Sequence, residues 1–352
     1  MKKLPLLLSI LISITLSAKS EFTLYDLSCE QTINPIGLET PKPCFSWKLI
    51  SQERGFRQKA YQVMVATSPA ALEKRKVLLW NSGKVSSSQS VLIPYEGASL
   101  KSATIYYWKV RSWNVKGKVS EWSEINKFTT GLLSTSDWNA SKWIALQPDD
   151  PSTRMVPGLH GGEGWGNKPT AKYSMPQFRK EFTLKKEVKQ ALAFVTGLGQ
   201  FDFFLNGNKA GDHFLDPGWT KYDKEALYVT FDLTNQLRQG KNAIGLMLGG
   251  GFYTIPKERY YKLLTSFGAP KARLQLHVTY TDGTSEIIGT DESWKATESP
   301  ITYSSIYGGE DYDATKEQEG WMQPNFNDSK WKQAVVTTST AILHSQTSTP
   351  LS

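Results

Sequence analysis

The chain has 352 residues, 39% hydrophobic and 21% charged, with 12 Trp and a formal net charge of +8. At about 100–200 residues per domain, that length holds two domains or three. The apolar content excludes a disordered chain, and the ordinary Gly and Pro usage excludes collagen-like and low-complexity sequences. The positive balance does not make a nucleic-acid-binding protein: Lys and Arg are scattered, with no run longer than Lys74-Arg75-Lys76.

In chain order, Lys2 and Lys3 precede a short apolar stretch over 4–16 and the small residues Ser17, Ala18 and Ser20. This is the pattern of an export signal over 1–20, which places the mature protein in the periplasm or outside the cell. The stretch falls short of the roughly 20 apolar residues that cross a bilayer, no Cys follows for a lipid anchor, and an uncleaved anchor is the alternative. No later segment is apolar enough to span a membrane. Cys29 and Cys44 are too few for a disulfide scaffold and lack the spacing of a zinc site. They bridge if adjacent strands bring them within reach, and otherwise are buried free thiols.

Over 21–131 the pattern is short alternating strands between turns, as in Phe45-Ser46-Trp47-Lys48-Leu49 and Tyr107-Trp108-Lys109-Val110-Arg111-Ser112-Trp113. Only 69–75 suggests a helical turn. Such spacing predicts an immunoglobulin-like or fibronectin-III-like sandwich in which Trp47, Trp108 and Trp113 serve core or rim packing. A break at 132–137 follows, then a second all-β unit over 137–340. Its stretch 149–175 is rich in Gly and Pro and aperiodic, includes Gly161-Gly162-Glu163-Gly164-Trp165-Gly166, and by its length is either functional or mobile. Further strands are predicted over 178–184, 191–196, 201–205, 226–231, 243–248, 272–280 and 285–289, closing near 331–336. Asn206-Gly207 and Asp282-Gly283 have the chemistry of tight hairpin turns. About two hundred residues of antiparallel strands are best read as a jelly-roll β-sandwich.

Conventional catalytic signatures are absent: there is no HExxH, GxSxG or Walker A sequence. Gly249-Gly250-Gly251 lacks the Lys-Ser/Thr of a phosphate loop and reads as a tight turn with backbone exposed near a cleft. The four histidines show no ligand spacing. Carboxylates beside aromatic residues stand out instead, in Asp212, Asp216 and Asp223 around Trp219 and Tyr222, and in Glu310-Asp311-Tyr312-Asp313. Ring faces stack on sugar C–H faces while carboxylates accept hydroxyl hydrogens. Hard oxygen ligands could equally hold Ca²⁺. The plainer alternative is turn-forming Asp and a buried Trp219.

Segments across the chain resemble the opening of bacterial α-L-rhamnosidases of the glycoside hydrolase family 78 type. In the first unit they are Asn34-Pro35-Ile36-Gly37, Thr40-Pro41-Lys42-Pro43, Leu79-Trp80-Asn81-Ser82-Gly83 and Tyr106-Tyr107-Trp108-Lys109-Val110-Arg111. In the second they are Gly197-Leu198-Gly199, Leu205-Asn206-Gly207, Asp216-Pro217-Gly218-Trp219-Thr220, Gly240-Lys241-Asn242-Ala243 and Gly309-Glu310-Asp311-Tyr312-Asp313. The resemblance implies N-terminal accessory domains of an inverting glycosidase that removes terminal α-L-rhamnose. It also implies that hydrolysis belongs to a downstream (α/α)6 barrel whose two carboxyl groups stand about 6.5–9.5 Å apart. No run of amphipathic helices is written here, so no catalytic carboxylate is carried over. The expected carbohydrate-binding residues are Asn206, Asp216, Trp219, Tyr222, Tyr253 and Glu310, with the 161–166 loop as the other candidate site. The resemblance admits Ca²⁺ in the jelly roll without fixing its ligands. The expected partner is a rhamnose-containing glycan or glycoside. A scaffold without a ligand site, and catalysis by Glu310 with a second carboxylate, are the competing functions.

Overall fold

The computed structural model describes residues 22–156, 172–256, 258–259 and 264–346. The expected export signal at 1–20 and the 161–166 loop lie outside the described residues. Among the described residues the structure is all-β apart from short helical turns, and the chain divides into two compact units. One takes Cys44–Ala98, Tyr107–Asn126 and the described part of Met1–Ile33. The other takes Asn34–Pro43, Ser99–Tyr106 and the described part of Lys127–Ser352.

In the first unit Cys44–Ser51 pairs antiparallel with Phe22–Cys29 on one side and with Ile93–Pro94 on the other. A second sheet is built on Gln58–Ala66, which pairs antiparallel with Ile105–Asn114 and with the short strands Trp80–Asn81 and Val85–Ser86. Alternation along these strands sends Phe45, Trp47, Val63, Val65, Trp108 and Val110 into the interior. Phe45 of one sheet meets Trp108 of the other at 4.6 Å between ring centroids, and Trp47 meets Tyr61 at 5.3 Å. The indole N–H of Trp47 donates to the Gln58 Oε1 at 3.1 Å, so the buried ring keeps its polar handle satisfied. The α-helix Pro69–Lys74 starts where the Ser68 hydroxyl accepts from the Ala71 N–H and Pro69 presets the first turn. Both cysteines are free thiols, Cys29 buried and Cys44 partly so. Burial raises the pKa of each thiol, and the Glu30 carboxylate adds to the effect.

The second unit is a sandwich of two sheets. One runs, in spatial order, Asn208–Lys209, Gln200–Leu205, Gly240–Gly249, Pro176–Leu184, Lys295–Glu298 and Lys332–Gln333. The other runs Val335–Thr337, Trp143–Ala145, Lys271–Tyr280, Val188–Leu198, Glu225–Asp232 and Ile342–Ser345, with Ser285–Gly289 paired to Lys271–Tyr280. Between them lies one continuous core in which Phe178, Leu205, Ile244 and Leu246 of the first sheet face Ala193, Val195, Leu274 and Leu276 of the second. All but one of these pairings is antiparallel. The exception is Glu225–Asp232 with Ile342–Ser345, which run parallel. The expectation of purely antiparallel strands is corrected there, because a parallel partner returns from far along the chain and leaves no local turn signal. Asn206-Gly207 forms the expected tight hairpin, with φ of 52° and 89°.

Gly249-Gly250-Gly251 also proves to be a turn leaving a strand, but not an exposed one. Gly250 and Gly251 are buried. A Cβ on Gly250 would lie 2.5 Å from the Ser304 carbonyl oxygen and 2.7 Å from that of Thr254, so only glycine fits. Among the described residues no helix is long and apolar enough to cross a membrane.

Candidate functional site

Three aromatic rings on three separate turns of the second unit come together. Tyr222 precedes the strand Glu225–Asp232, Tyr253 follows the Gly249–Gly251 turn, and Phe267 precedes the strand Lys271–Tyr280. Tyr222 meets Tyr253 edge-on at 5.4 Å and Phe267 at 5.5 Å, while Tyr253 and Phe267 stack at 5.6 Å. The three rings wall a pocket of about 290 Å³ whose other lining side chains include Asp149, Arg154, Asp223 and Lys271.

Lys271 is 2% exposed, and its ammonium donates to Asp149 Oδ2 at 2.7 Å and to the Thr338 carbonyl at 3.3 Å. The other Asp149 oxygen accepts from the Ala269 N–H at 2.8 Å. The pair is therefore held rigidly, and each charge is compensated in place. Asp223 is different: its Oδ1 is buried with no hydrogen-bond partner. An unpaired buried carboxylate oxygen is costly. Burial drives the phenols of Tyr222 and Tyr253 well above their ordinary range, so both stay protonated donors. Flat apolar walls with fixed donors and acceptors suit a small polar ring.

The six residues expected from sequence separate in space. Tyr222 and Tyr253 line the pocket together. Trp219 is 68% exposed, which corrects its reading as a buried residue, and it stacks on Phe252 at 4.8 Å. Phe252 in turn meets the exposed Tyr307 at 5.6 Å, so the three rings form a solvent-facing shelf. Glu310 lies in the strand Gly309–Tyr312 of the hairpin that carries Tyr307. Its carboxyl is raised above the ordinary range, by desolvation first and by the Asp202 carboxylate second. Asp202 is itself paired with Lys209 at 2.6 Å.

Asp216 and Asn206 serve the fold. Asp216 is buried between His213 Nδ1 at 2.7 Å and the Gln346 amide at 2.9 Å. Asn206 bonds Asn242 and the Ala243 N–H, both at 2.9 Å. Sequence reasoning missed Asp149, Phe267 and Lys271, although the aperiodic stretch beginning at 149 pointed toward the first of them. Among the described residues no three His, Cys, Asp or Glu side chains cluster as a metal site.

Fold and site together define an all-β protein of two sandwich units, the second bearing a ring-walled polar pocket. Two family models match it: the α-L-rhamnosidase N-terminal domain over 186–352, and the Rha78A-like N-terminal immunoglobulin domain over 24–134. An α-L-rhamnosidase of Formosa agariphila is 40% identical over 304 residues, covering 85% of this chain and 32% of that protein. Among solved structures, the α-L-rhamnosidase from Dictyoglumus thermophilum superposes with a TM-score of 0.78 at 39% identity, covering 93% of this chain and 36% of that one. A Streptomyces avermitilis α-L-rhamnosidase, solved in complex with L-rhamnose, gives 0.76 at 25% identity, covering 91% and 45%. The chain belongs to the α-L-rhamnosidase family, as N-terminal domains of it. It spans about a third of the length of the curated relatives it matches.

Proposed function

We propose that this chain is the accessory region of an exported α-L-rhamnosidase, binding rhamnosyl groups at the second sandwich while hydrolysis is performed elsewhere in the whole enzyme. The observation that carries the reading is the reach of the likeness: 85% of this chain against 32% of a relative named for the activity. The pocket supplies the physical reason for sugar binding. L-rhamnose is a 6-deoxy sugar, so its methyl group and C–H face want apolar walls such as Tyr222, Tyr253 and Phe267, while its hydroxyls pair with Asp223 and the tyrosine hydroxyls. The shelf of Trp219, Phe252 and Tyr307 offers a second apolar surface for the rest of a glycan chain. Export rests on the 1–20 pattern.

Calorimetric titration with L-rhamnose tests the site. A single-sugar site is expected to bind at about 0.1–1 mM, roughly 4–5.5 kcal/mol. Asp223→Ala is expected to weaken binding at least about fivefold, consistent with the loss of about 1 kcal/mol for one hydrogen bond. Trp219→Ala is expected to leave the monosaccharide affinity within about twofold. Absence of heat from folded protein would overturn sugar binding and leave a scaffold. Loss of affinity in Trp219→Ala alone would move the site from the pocket to the shelf.

A further inference from the structure

Basic residues that are dispersed in the sequence converge on one face of the first unit. Along the strand Ile105–Asn114, the side chains of Tyr106, Trp108 and Val110 point inward, which leaves Lys109, Arg111 and Trp113 on the opposite face. Lys84 lies over the Trp113 ring at 4.8 Å, and Arg111 lies over the same ring at 4.9 Å. Arg111 also lies 4.7 Å from the centre of Trp122, which Lys109 approaches at 4.9 Å and Arg75 at 5.6 Å. Arg111 thus joins both rings into one ladder of alternating cations and indoles.

None of these four cations forms an ion pair among the described residues, although exposed lysines such as Lys48, Lys116 and Lys142 on the same protein do. The Glu73 carboxylate acts on Lys109 electrostatically. Burial and then the Arg75 charge lower the pKa of both Lys109 and Arg111, so like charges press on one another here. The rings supply part of the missing compensation and fix the cations in place, since each cation–π contact at a partly exposed site is attractive. The amide of Gln62 reinforces this by accepting from Arg111 Nε at 2.9 Å while donating to Asn81 at 2.7 Å.

We infer that this ladder, with exposed Arg75 and Lys84 and half-buried Arg111 over Trp113 and Trp122 and the buried Lys109 beneath them adding to its charge, is a docking surface for an anionic polysaccharide, one whose sugars carry carboxylate or sulfate groups. Complementarity of charge requires a polyanion. The ring faces are already occupied by cations and offer no platform on which bases stack, which disfavours single-stranded nucleic acid. The choice of a glycan over an acidic polypeptide rests on the proposed function, since an enzyme acting on glycans gains from holding a charged polymer near its site.

Biolayer interferometry of the whole chain at 0.15 M NaCl tests the assignment on immobilised polygalacturonate, dextran sulfate, neutral dextran, polyglutamate and duplex DNA. Binding is expected to polygalacturonate, dextran sulfate or both, the two arms separating carboxylate from sulfate recognition, and not to dextran. The doubly substituted Arg75→Asn, Lys84→Ser chain, changed only at exposed positions, is expected to bind at least tenfold more weakly. Lys330→Ser with Lys332→Ser removes the same charge from the second unit and is expected to bind as wild type. No binding to either charged glycan, equal loss in both double variants, or equal binding to polyglutamate or DNA would each overturn the inference. L-rhamnose titration of the Arg75→Asn, Lys84→Ser chain reads the pocket independently, so failure here is distinguishable from failure of the proposed function.

Discussion

Asp216 shows how a residue type that suits a ligand site can be spent on the fold instead. Its carboxylate is buried between the His213 ring and the Gln346 amide, joining the loop before Trp219 to the last described strand. Asp216→Ala leaves both partners short of an acceptor and is expected to cost about 1–3 kcal/mol in denaturant unfolding, with no loss of rhamnose affinity beyond that of the folded fraction. A stable variant that no longer bound sugar would return Asp216 to the site. Trp219, three residues on, could not be placed from sequence because Asp-Pro-Gly-Trp reads equally as a turn ending in a core residue or as a turn presenting a ring. Only packing on Phe252 decides it. Tyr222 and Tyr253 were legible as candidates, but their juxtaposition was not, since the 30 intervening residues carry two long strands, one in each sheet.

At the scale of elements, alternation made the long strands plain, whereas the short edge strands carried too few residues for any period to show. The segment before Trp331 is instead held by side chains. Arg179, 1% exposed on the strand Pro176–Leu184, donates to the carbonyls of Trp321 and Gln323, each at 3.0 Å, and pairs with Asp328. Asp328→Ala strands a buried guanidinium and is expected to cost about 3–5 kcal/mol, more than Arg179→Met, which removes charge and demand together. Equal stability losses in chemical denaturation would show that the pair contributes nothing beyond packing.

A second test at this scale concerns His277 on the strand Lys271–Tyr280. Burial holds its pKa down to about 4, against an ordinary 6.5. Between those values the unfolded chain takes up a proton that the folded chain refuses, so the stabilisation is complete above 6.5 and drains away as pH falls toward 4. The linked loss is roughly 2–3 kcal/mol. Urea unfolding at pH 7 and pH 4.5 should show wild type losing more stability than His277→Leu over that interval. Parallel losses in the two would contradict the burial of a neutral imidazole.

For the molecule as a whole, composition and strand spacing foretold an all-β chain of two units, and the motif order foretold the family. The basic ladder was not foretold, because its four cations come from three segments, the strand Ile105–Asn114, the stretch before Val85–Ser86 and the end of the helix Pro69–Lys74, which meet only on folding. The central claim is that these domains bind and do not hydrolyse. The Glu310 carboxyl, raised by desolvation and by the Asp202 carboxylate, is exposed on a hairpin, and Asp202 is tied to Lys209. An inverting pair needs two carboxyl groups facing across a bound sugar with room for water. The direct test is the release of 4-nitrophenol from 4-nitrophenyl α-L-rhamnopyranoside by the purified chain. The account predicts a rate equal to that in buffer, whereas turnover well above buffer that disappears in Glu310→Gln would contradict it.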